Sequence, residues 1–254
     1  MLEIQNMSKT YNPGTVTELK LFEDFNLTVP DGQFISIVGS NGSGKTSLLN
    51  LLCGSIPLDS GDVLVDGKSI RKQKDFQRYA SIGRVYQNPA LGTCPNLTML
   101  ENLSLADNKG KKFGLRFGVN KKRADFYRSE LASLGLGLED KLDVKMGSLS
   151  GGQRQAVALL MATMTPLKFL ILDEHTAALD PKTAETIMVL TGKVVKEKNL
   201  TALMVTHNLR YALEYGDRLL MLARGKIVVD KAGEEKAAMT ADQILTAFGQ
   251  LSME

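Results

Sequence analysis

Apolar and polar positions alternate over Leu2–Ser8, with Leu2, Ile4 and Met7 on the apolar side, and again over Leu19–Val29. A period of two predicts two strands, each with one buried face. Between them Tyr11 falls in a turn with Asn12-Pro-Gly14, and Pro30-Asp-Gly32 closes the second strand. Phe34–Val38 is a continuous apolar run, followed after a glycine-rich loop by the helical pattern Ser47–Leu52. Gly61–Gly67 and Ser81–Tyr86 read as short strands. From about Pro95 the period becomes helical: Thr98–Glu101 is a capping box, Lys121–Leu134 carries Phe126, Leu131 and Leu134 at helical positions, and Ser150 and Gln153 form a second box ahead of a helix over Arg154–Met164. Lys168–Asp173 is a buried strand, Asp180-Pro181 opens a helix to Lys198, and Leu200–Val205 is a strand. Arg218–Leu222 and Lys226–Val229 form a last strand pair, and Thr240 with Gln243 caps a final helix. A strand-rich opening followed by alternating helices and strands predicts an α/β chain. An antiparallel β subdomain attaches to a parallel core, with a helical lobe inserted at about 90–160.

The 254 residues suffice for one large domain, or for one domain with an inserted lobe. No apolar run approaches the ~18 residues needed to cross a bilayer, and no leader sequence is visible at the start. Cys53 and Cys94 match no metal or redox spacing and read as reduced thiols of a cytoplasmic protein. The net charge of +3 is uneven: Lys109–Arg123 holds seven basic residues and no acidic one, which leaves the remainder at −4. That distribution is not that of a nucleic-acid binder. The basic stretch is either a solvated loop or a contact for anionic lipid or a membrane partner.

Gly39-Ser-Asn-Gly-Ser-Gly-Lys-Thr46 lies between the predicted strand and helix, the context in which G-x-x-x-x-G-K-[ST] is a phosphate-binding loop. Glycines let successive backbone N–H groups converge on one anion, and the following helix adds its positive end. Lys45 would reach the β- and γ-phosphates and Thr46 would place its hydroxyl on Mg²⁺. Asp173 and Glu174 end the most apolar strand, where one acid can serve the Mg²⁺ shell and the other polarise water. His207 ends the next strand, either as a structural residue or as part of the same site. The glycines of Leu149-Ser-Gly-Gly-Gln153 belong either to a plain N-cap or to a helix N-terminus left bare for an anion.

The phosphate loop, Gln87, Leu149–Gln153, Phe169–Glu174, Ala178–Asp180 and His207 resemble, in order and spacing, the ATP-binding subunit of an ABC (ATP-binding cassette) transporter, over essentially the whole chain. The resemblance implies one P-loop NTPase cassette spanning 1–254. Its RecA-like parallel core and β subdomain would occupy 1–89 and 161–254, and its helical subdomain 90–160. It implies ATP and Mg²⁺ as ligands. Tyr11 would stack on adenine, and Gly39, Ser40, Asn41, Gly42, Ser43, Gly44, Lys45, Thr46 and Ser47 would surround the phosphates. Thr46, Gln87 and Asp173 would serve the metal, Glu174 would be the general base, and His207 would touch the γ-phosphate. Two copies would face head to tail, so that Ser150, Gly151, Gly152 and Gln153 of one close over ATP held by the other, with Asp180 near the seam.

The implied partners are a second copy, an integral membrane permease sensed through the Gln87 loop, and an extracytoplasmic substrate-binding protein; no nucleic acid is implied. The implied place is the cytoplasm, peripheral on the inner face of the membrane. His175 departs from the pattern, standing where many cassettes have proline, and activity is expected to survive it. Asp173–Pro181 and Leu203–Asn208 are similar to importers labelled as tryptophan or tyrosine uptake systems, which points to import of small solutes such as amino acids. The alternative is a soluble cassette ATPase of the iron–sulfur assembly type, uncoupled from transport. A module without turnover is opposed by the intact Gln87, Glu174 and His207.

Overall fold

The computed structural model describes residues 1–111 and 118–251, and among these the chain forms two sheets with helices packed on them. β1 (Leu2–Tyr11) and β2 (Leu19–Val29) pair antiparallel, Leu2 opposite Val29 and Tyr11 opposite Leu19. Tyr11 therefore ends a strand rather than standing in the turn; pairing runs up to Asn12, whose φ of 49° breaks it. β3 (Phe34–Gly39), buried throughout, leaves this layer and delivers the glycine-rich loop and α1 (Lys45–Cys53). That helix starts at Lys45 because Gly44, at φ 105°, is its left-handed N-cap. β4 (Ser60–Val65) and the short β5 (Lys68–Ser69) return to the antiparallel layer, giving the order β2-β1-β4-β5.

α2 (Asp75–Tyr79) is too short to show a period in sequence; it leads into β6 (Ile82–Val85). α3 (Met99–Asp107), α4 (Ala124–Ala132) and α5 (Gly151–Thr163) follow. β7 (Phe169–Asp173), α6 (Pro181–Glu197), β8 (Ala202–Val205) and α7 (Leu209–Glu214) continue the alternation. β9 (Arg218–Ala223), β10 (Lys226–Ala232), α8 (Gly233–Ala237) and α9 (Ala241–Leu251) complete it.

The second sheet has the order β10-β9-β3-β8-β7-β6, parallel except for β10. β3, β7, β8 and β9 are apolar on both faces because both are covered, whereas β10 alternates half-buried and exposed positions at the edge. Ile35, Ile37, Phe169, Ile171, Leu203 and Val205 pack with α1 and the antiparallel layer, whereas Phe34, Leu170, Leu172, Ala202 and Met204 pack with α3 to α6. α7 and α9 close a smaller core over Val38, Leu219 and Met221. The loops after β3, β7 and β8 thus emerge along one edge, at the carboxyl ends of parallel strands.

The expected caps form. Glu101 N donates to Thr98 Oγ1 at 3.2 Å and Thr98 N to Glu101 Oε2 at 2.7 Å; Thr240 and Gln243 make the same exchange at 2.9 and 3.3 Å. The helix expected over Lys121–Leu134 is shorter. Lys121–Arg123 forms a separate 3₁₀ turn, and α4 buries Tyr127 and Leu131 while Phe126 stays exposed under the Arg123 guanidinium, 4.1 Å from the ring centre.

The basic stretch is not uniformly solvated. Lys109 turns inward, its Nζ donating to Ile82 O at 2.8 Å, and burial pushes its pKa down to about 8. Lys111 and Arg123 pair with the buried Asp107, and Lys121 and Lys122 are exposed. Lys112 and Arg116 lie outside the described residues. Among the described residues no helix is long and apolar enough to cross a membrane.

Candidate active site

β3 carries the chain through the sheet centre and stops at Gly39, where a Cβ would lie 2.5 Å from Leu222 O and from Ser43 Oγ. The loop turns through Gly42 at φ 80° and Gly44 at φ 105°, and a Cβ on Gly44 would strike the Phe22 ring at 2.9 Å. Backbone N–H groups are thereby exposed without side chains in front of them. Lys45 is 5% exposed, and its Nζ donates to Gly39 O at 2.7 Å and Ser40 O at 2.9 Å. These two bonds aim the ammonium and leave one of its three N–H groups for a ligand. Burial lowers its pKa, while Glu174 opposes that shift. The buried Ser43 Oγ has no hydrogen-bond partner, an orphan hydroxyl inside a loop shaped for oxyanions.

Two adjoining clefts meet at this loop. The first, about 230 Å³, is walled by the loop, Thr46, Ser47, Tyr11, Glu174 and His207. Tyr11 enters from the antiparallel layer and its hydroxyl donates to Ser47 Oγ at 3.1 Å. The second, about 430 Å³, is lined by Thr46, Arg84, Gln87, Asp173 and Glu174. It offers hydroxyl, amide and carboxylate oxygens together, while among the described residues no group of three His, Cys, Asp or Glu side chains is placed to hold a metal. One or two carboxylates, a hydroxyl and substrate phosphates are the donor set that suits Mg²⁺, so the residues present fit that ion.

Glu174 sits at φ 48°, a conformation that costs roughly 1–3 kcal/mol for a residue with a side chain and persists only where its surroundings enforce it. Here Glu174 N donates to Val205 O at 3.0 Å and its carbonyl accepts from Ala177 N at 2.9 Å. The result is a carboxylate turned towards His207, whose Nε2 lies 2.7 Å from Glu174 Oε1. The next residue anchors the turn. His175 is 2% exposed, and Thr191, whose hydroxyl donates to Ile187 O, accepts from His175 Nε2 at 3.0 Å. A buried imidazole thus stands where the resemblance led one to expect proline.

Burial pushes the His175 pKa from 6.5 to about 4. The unfolded chain takes up this proton near pH 6.5 and the folded chain only near 4. Stability is therefore complete above the unfolded value and falls with pH through that window, by about 3 kcal/mol in all. Urea midpoints should drop between about pH 7 and 4.5, and His175→Gln should flatten the drop. An unchanged slope in that variant would assign the acid sensitivity elsewhere.

The Leu149–Gln153 run lies apart from both clefts. Ser150 Oγ accepts from Gln153 N at 3.3 Å and Gln153 Oε1 from Ser150 N at 3.2 Å, so the box caps α5 with Ser150, Gly151 and Gln153 not buried. Gly152 has a packing reason of its own: a Cβ there would lie 2.1 Å from Thr183 Cγ2 on α6. Asp180 caps α6, accepting from Thr183 N at 3.1 Å. Neither Ser150–Gln153 nor Asp180 lines the two clefts.

Sequence reasoning missed two side chains. Gln155, fully buried on α5, donates from Nε2 to Tyr86 O at 3.0 Å, tying α5 to the residue before Gln87. Arg84, on β6, forms an ion pair with Asp173 at 2.6 Å. Burial is the largest single influence and works against its charge, but Asp173, with Cys53 and Tyr86, together outweigh it and the pKa is raised. The available signal was a charged residue inside an otherwise apolar strand, which demands a partner.

The family model described as ABC transporter matches residues 22–177. The chain is 46% identical over 248 residues to the tyrosine transport ATP-binding protein of Clostridioides difficile strain R20291, covering 98% of each. It is 32% identical over 254 residues to the phosphonates import ATP-binding protein of Lactococcus lactis subsp. cremoris strain SK11, covering 98% of this chain and 100% of that one. Among solved structures, a dimeric ATP-binding cassette in a post-hydrolysis state with ADP and phosphate aligns with TM-score 0.77 at 30% identity, covering 91% of this chain and 98% of that one. The ADP conformation of an ABC transporter cassette aligns with TM-score 0.80 at 26% identity, covering 98% of each.

Proposed function

The chain belongs to the ABC transporter family and is an ATP-hydrolysing cassette, and from that premise we propose that it dimerises on ATP and drives a separate membrane permease for uptake of a small solute, with tyrosine as first candidate. The observation that carries this reading is the convergence of Lys45, Thr46, Gln87, Asp173, Glu174 and His207 on two adjoining clefts at one sheet edge. The named functions of the relatives support import, and nothing in the fold favours the transport-free alternative. The cassette acts on the inner face of the membrane, with residues 90–160 as its helical subdomain and an extracytoplasmic binding protein in the same system.

The chemistry follows from the side chains. Tyr11 stacks on the base, and the loop N–H groups with Lys45 hold the phosphates. Mg²⁺, served by Thr46, Asp173 and Gln87, would neutralise charge on the β- and γ-phosphate oxygens. Water attacks the γ-phosphorus, the bond to the β–γ bridging oxygen breaks, and ADP leaves. Glu174 takes the proton from the water, and the contact of His207 Nε2 with Oε1 fixes the carboxylate and leaves Oε2 to accept. His207 is also placed to meet the γ-phosphate once ATP enters. Ser150, Gly151, Gly152 and Gln153 of a second copy complete the site at its open side, with Asp180 beside the seam.

The test is reconstitution with a candidate membrane permease, reading phosphate release and labelled tyrosine uptake together. Gln87→Ala should keep ATP binding yet lose most of the permease-stimulated turnover, because Gln87 is exposed at the end of β6, where cleft and partner meet. Stimulation that persists while ATP binding collapses would overturn the coupling role.

A further inference from the structure

Arg84 stands at the junction of α1, β7 and the end of β6 in the second cleft. Its Nη2 donates to Asp173 Oδ2 at 2.6 Å, its Nη1 to Asn50 Oδ1 at 2.8 Å, and its guanidinium carbon lies 4.6 Å from the centre of the Tyr86 ring. Asn50 is four residues beyond Thr46 on α1 and therefore on the same helix face. Asp173 ends β7, the parallel neighbour of β6, and Tyr86 precedes Gln87. One planar fork thus ties the carriers of Thr46, Asp173 and Gln87 to one another. The Arg84 and Asp173 side chains are only 6% and 14% exposed.

Stability alone is a poor reason for this arrangement. Desolvating an ion pair commonly offsets its attraction, and an apolar pair of similar volume often does as well or better. Arg84 Nε is moreover buried without a partner, an added cost. What the pair does achieve is geometric: it holds Oδ2 and leaves Oδ1 outside the pair. It also places a permanent positive charge beside the cleft that offers oxygen donors to a cation.

We propose that Arg84 is a positioning residue for the metal of the ATP site: it holds Asp173 in the orientation that hydrolysis needs, and its fixed charge weakens the binding of the divalent cation. This rests on the assignment of Thr46 and Asp173 to Mg²⁺. Geometry and charge separate by substitution. Arg84→Lys keeps the cation but replaces the two nitrogens that reach Asn50 and Asp173 with one on a shorter side chain, and Arg84→Met removes both fork and charge.

The experiment uses the full chain with a non-hydrolysable ATP analogue and Mn²⁺ as probe, free Mn²⁺ being read by electron paramagnetic resonance, with ATP hydrolysis measured in parallel at saturating Mg²⁺. Arg84→Met should lower half-saturating Mn²⁺ about tenfold, since a like charge has gone, and Arg84→Lys should leave it within about twofold. Hydrolysis should fall about tenfold or more in both, because Asp173 is no longer held. Unchanged or weaker Mn²⁺ binding in Arg84→Met, or wild-type turnover in Arg84→Lys, overturns the proposal. Should Arg84→Met not fold, Arg84→Gln supplies the neutral arm. Asp173→Asn is the separate control: if it binds Mn²⁺ as the wild type does, the metal assignment itself fails, whatever Arg84 does.

Discussion

Lys45→Ala is expected to lower ATP hydrolysis by about a hundred- to a thousandfold, the range seen when a single pre-aimed donor to developing charge is removed. The ammonium is not a free lysine head that finds the phosphate by chance. Gly39 O and Ser40 O hold it at 2.7 and 2.9 Å, and the side chain is 5% exposed, so its direction is set before ATP arrives. Burial reduces the screening of its charge and lowers its pKa, and Glu174 offsets part of that shift. Alanine leaves the two loop carbonyls without their shared donor, and the loop loses that tie as well as its charge. Lys45→Arg should not rescue, because a planar guanidinium cannot sit between both carbonyls as a compact ammonium does. Phosphate release with and without the substitution is the measurement, with binding of a fluorescent ATP analogue beside it. Turnover near wild type in Lys45→Ala would remove the assignment of the loop.

The residues that were legible in sequence are those whose chemistry depends on local spacing. The phosphate loop, the capping boxes at Thr98, Ser150 and Thr240, and the acids after an apolar strand are patterns within a few residues, and each forms where it was expected. What escaped depends on registers between distant segments. Nothing local says that β6 lies beside β7, yet only that pairing brings Arg84 to Asp173 and makes a charged residue in an apolar strand affordable. Gly152 looked like a bare helix end; that it also clears space for Thr183 follows from the packing of α5 on α6. The basic stretch misled for a related reason. Counting charges cannot reveal that Lys109 turns in to Ile82 O or that Asp107, outside the stretch, draws Lys111 and Arg123. His175, at which activity is expected to survive, is buried with its Nε2 on Thr191 of α6, a contact between segments that its own neighbours in sequence do not announce.

Glu174→Gln is expected to stop hydrolysis while turning the chain into a stable ATP-bound dimer. The substitution keeps side-chain length and leaves an amide oxygen to accept from His207 Nε2, which now lies 2.7 Å from Glu174 Oε1, so the turn at φ 48° has no reason to relax. It removes the group that accepts the proton from water, a loss of about a hundred- to ten-thousandfold in rate. It also removes a negative charge beside the γ-phosphate, so ATP binding should hold or tighten. Ser150–Gln153 and Asp180 line neither cleft, and Ser150 and Gly151 are exposed at the start of α5. That bare N-terminus, with its converging N–H groups, suits a phosphate presented by a second copy. Unhydrolysed ATP would then bridge Lys45 of one chain and Ser150 of the other. On a sizing column the wild type without nucleotide should run as a monomer, and Glu174→Gln with ATP as a dimer. Adding Ser150→Arg should abolish the dimer, because the new side chain fills the approach and the cap to Gln153 is lost together with it. To separate blockage from loss of the cap, Ser150→Ala serves as comparison: it forfeits about 1 kcal/mol of capping but leaves the approach clear, and should still dimerise. If Glu174→Gln hydrolyses ATP at the wild-type rate, Glu174 is not the base. If it stays monomeric at saturating ATP, the composite site across two chains is wrong.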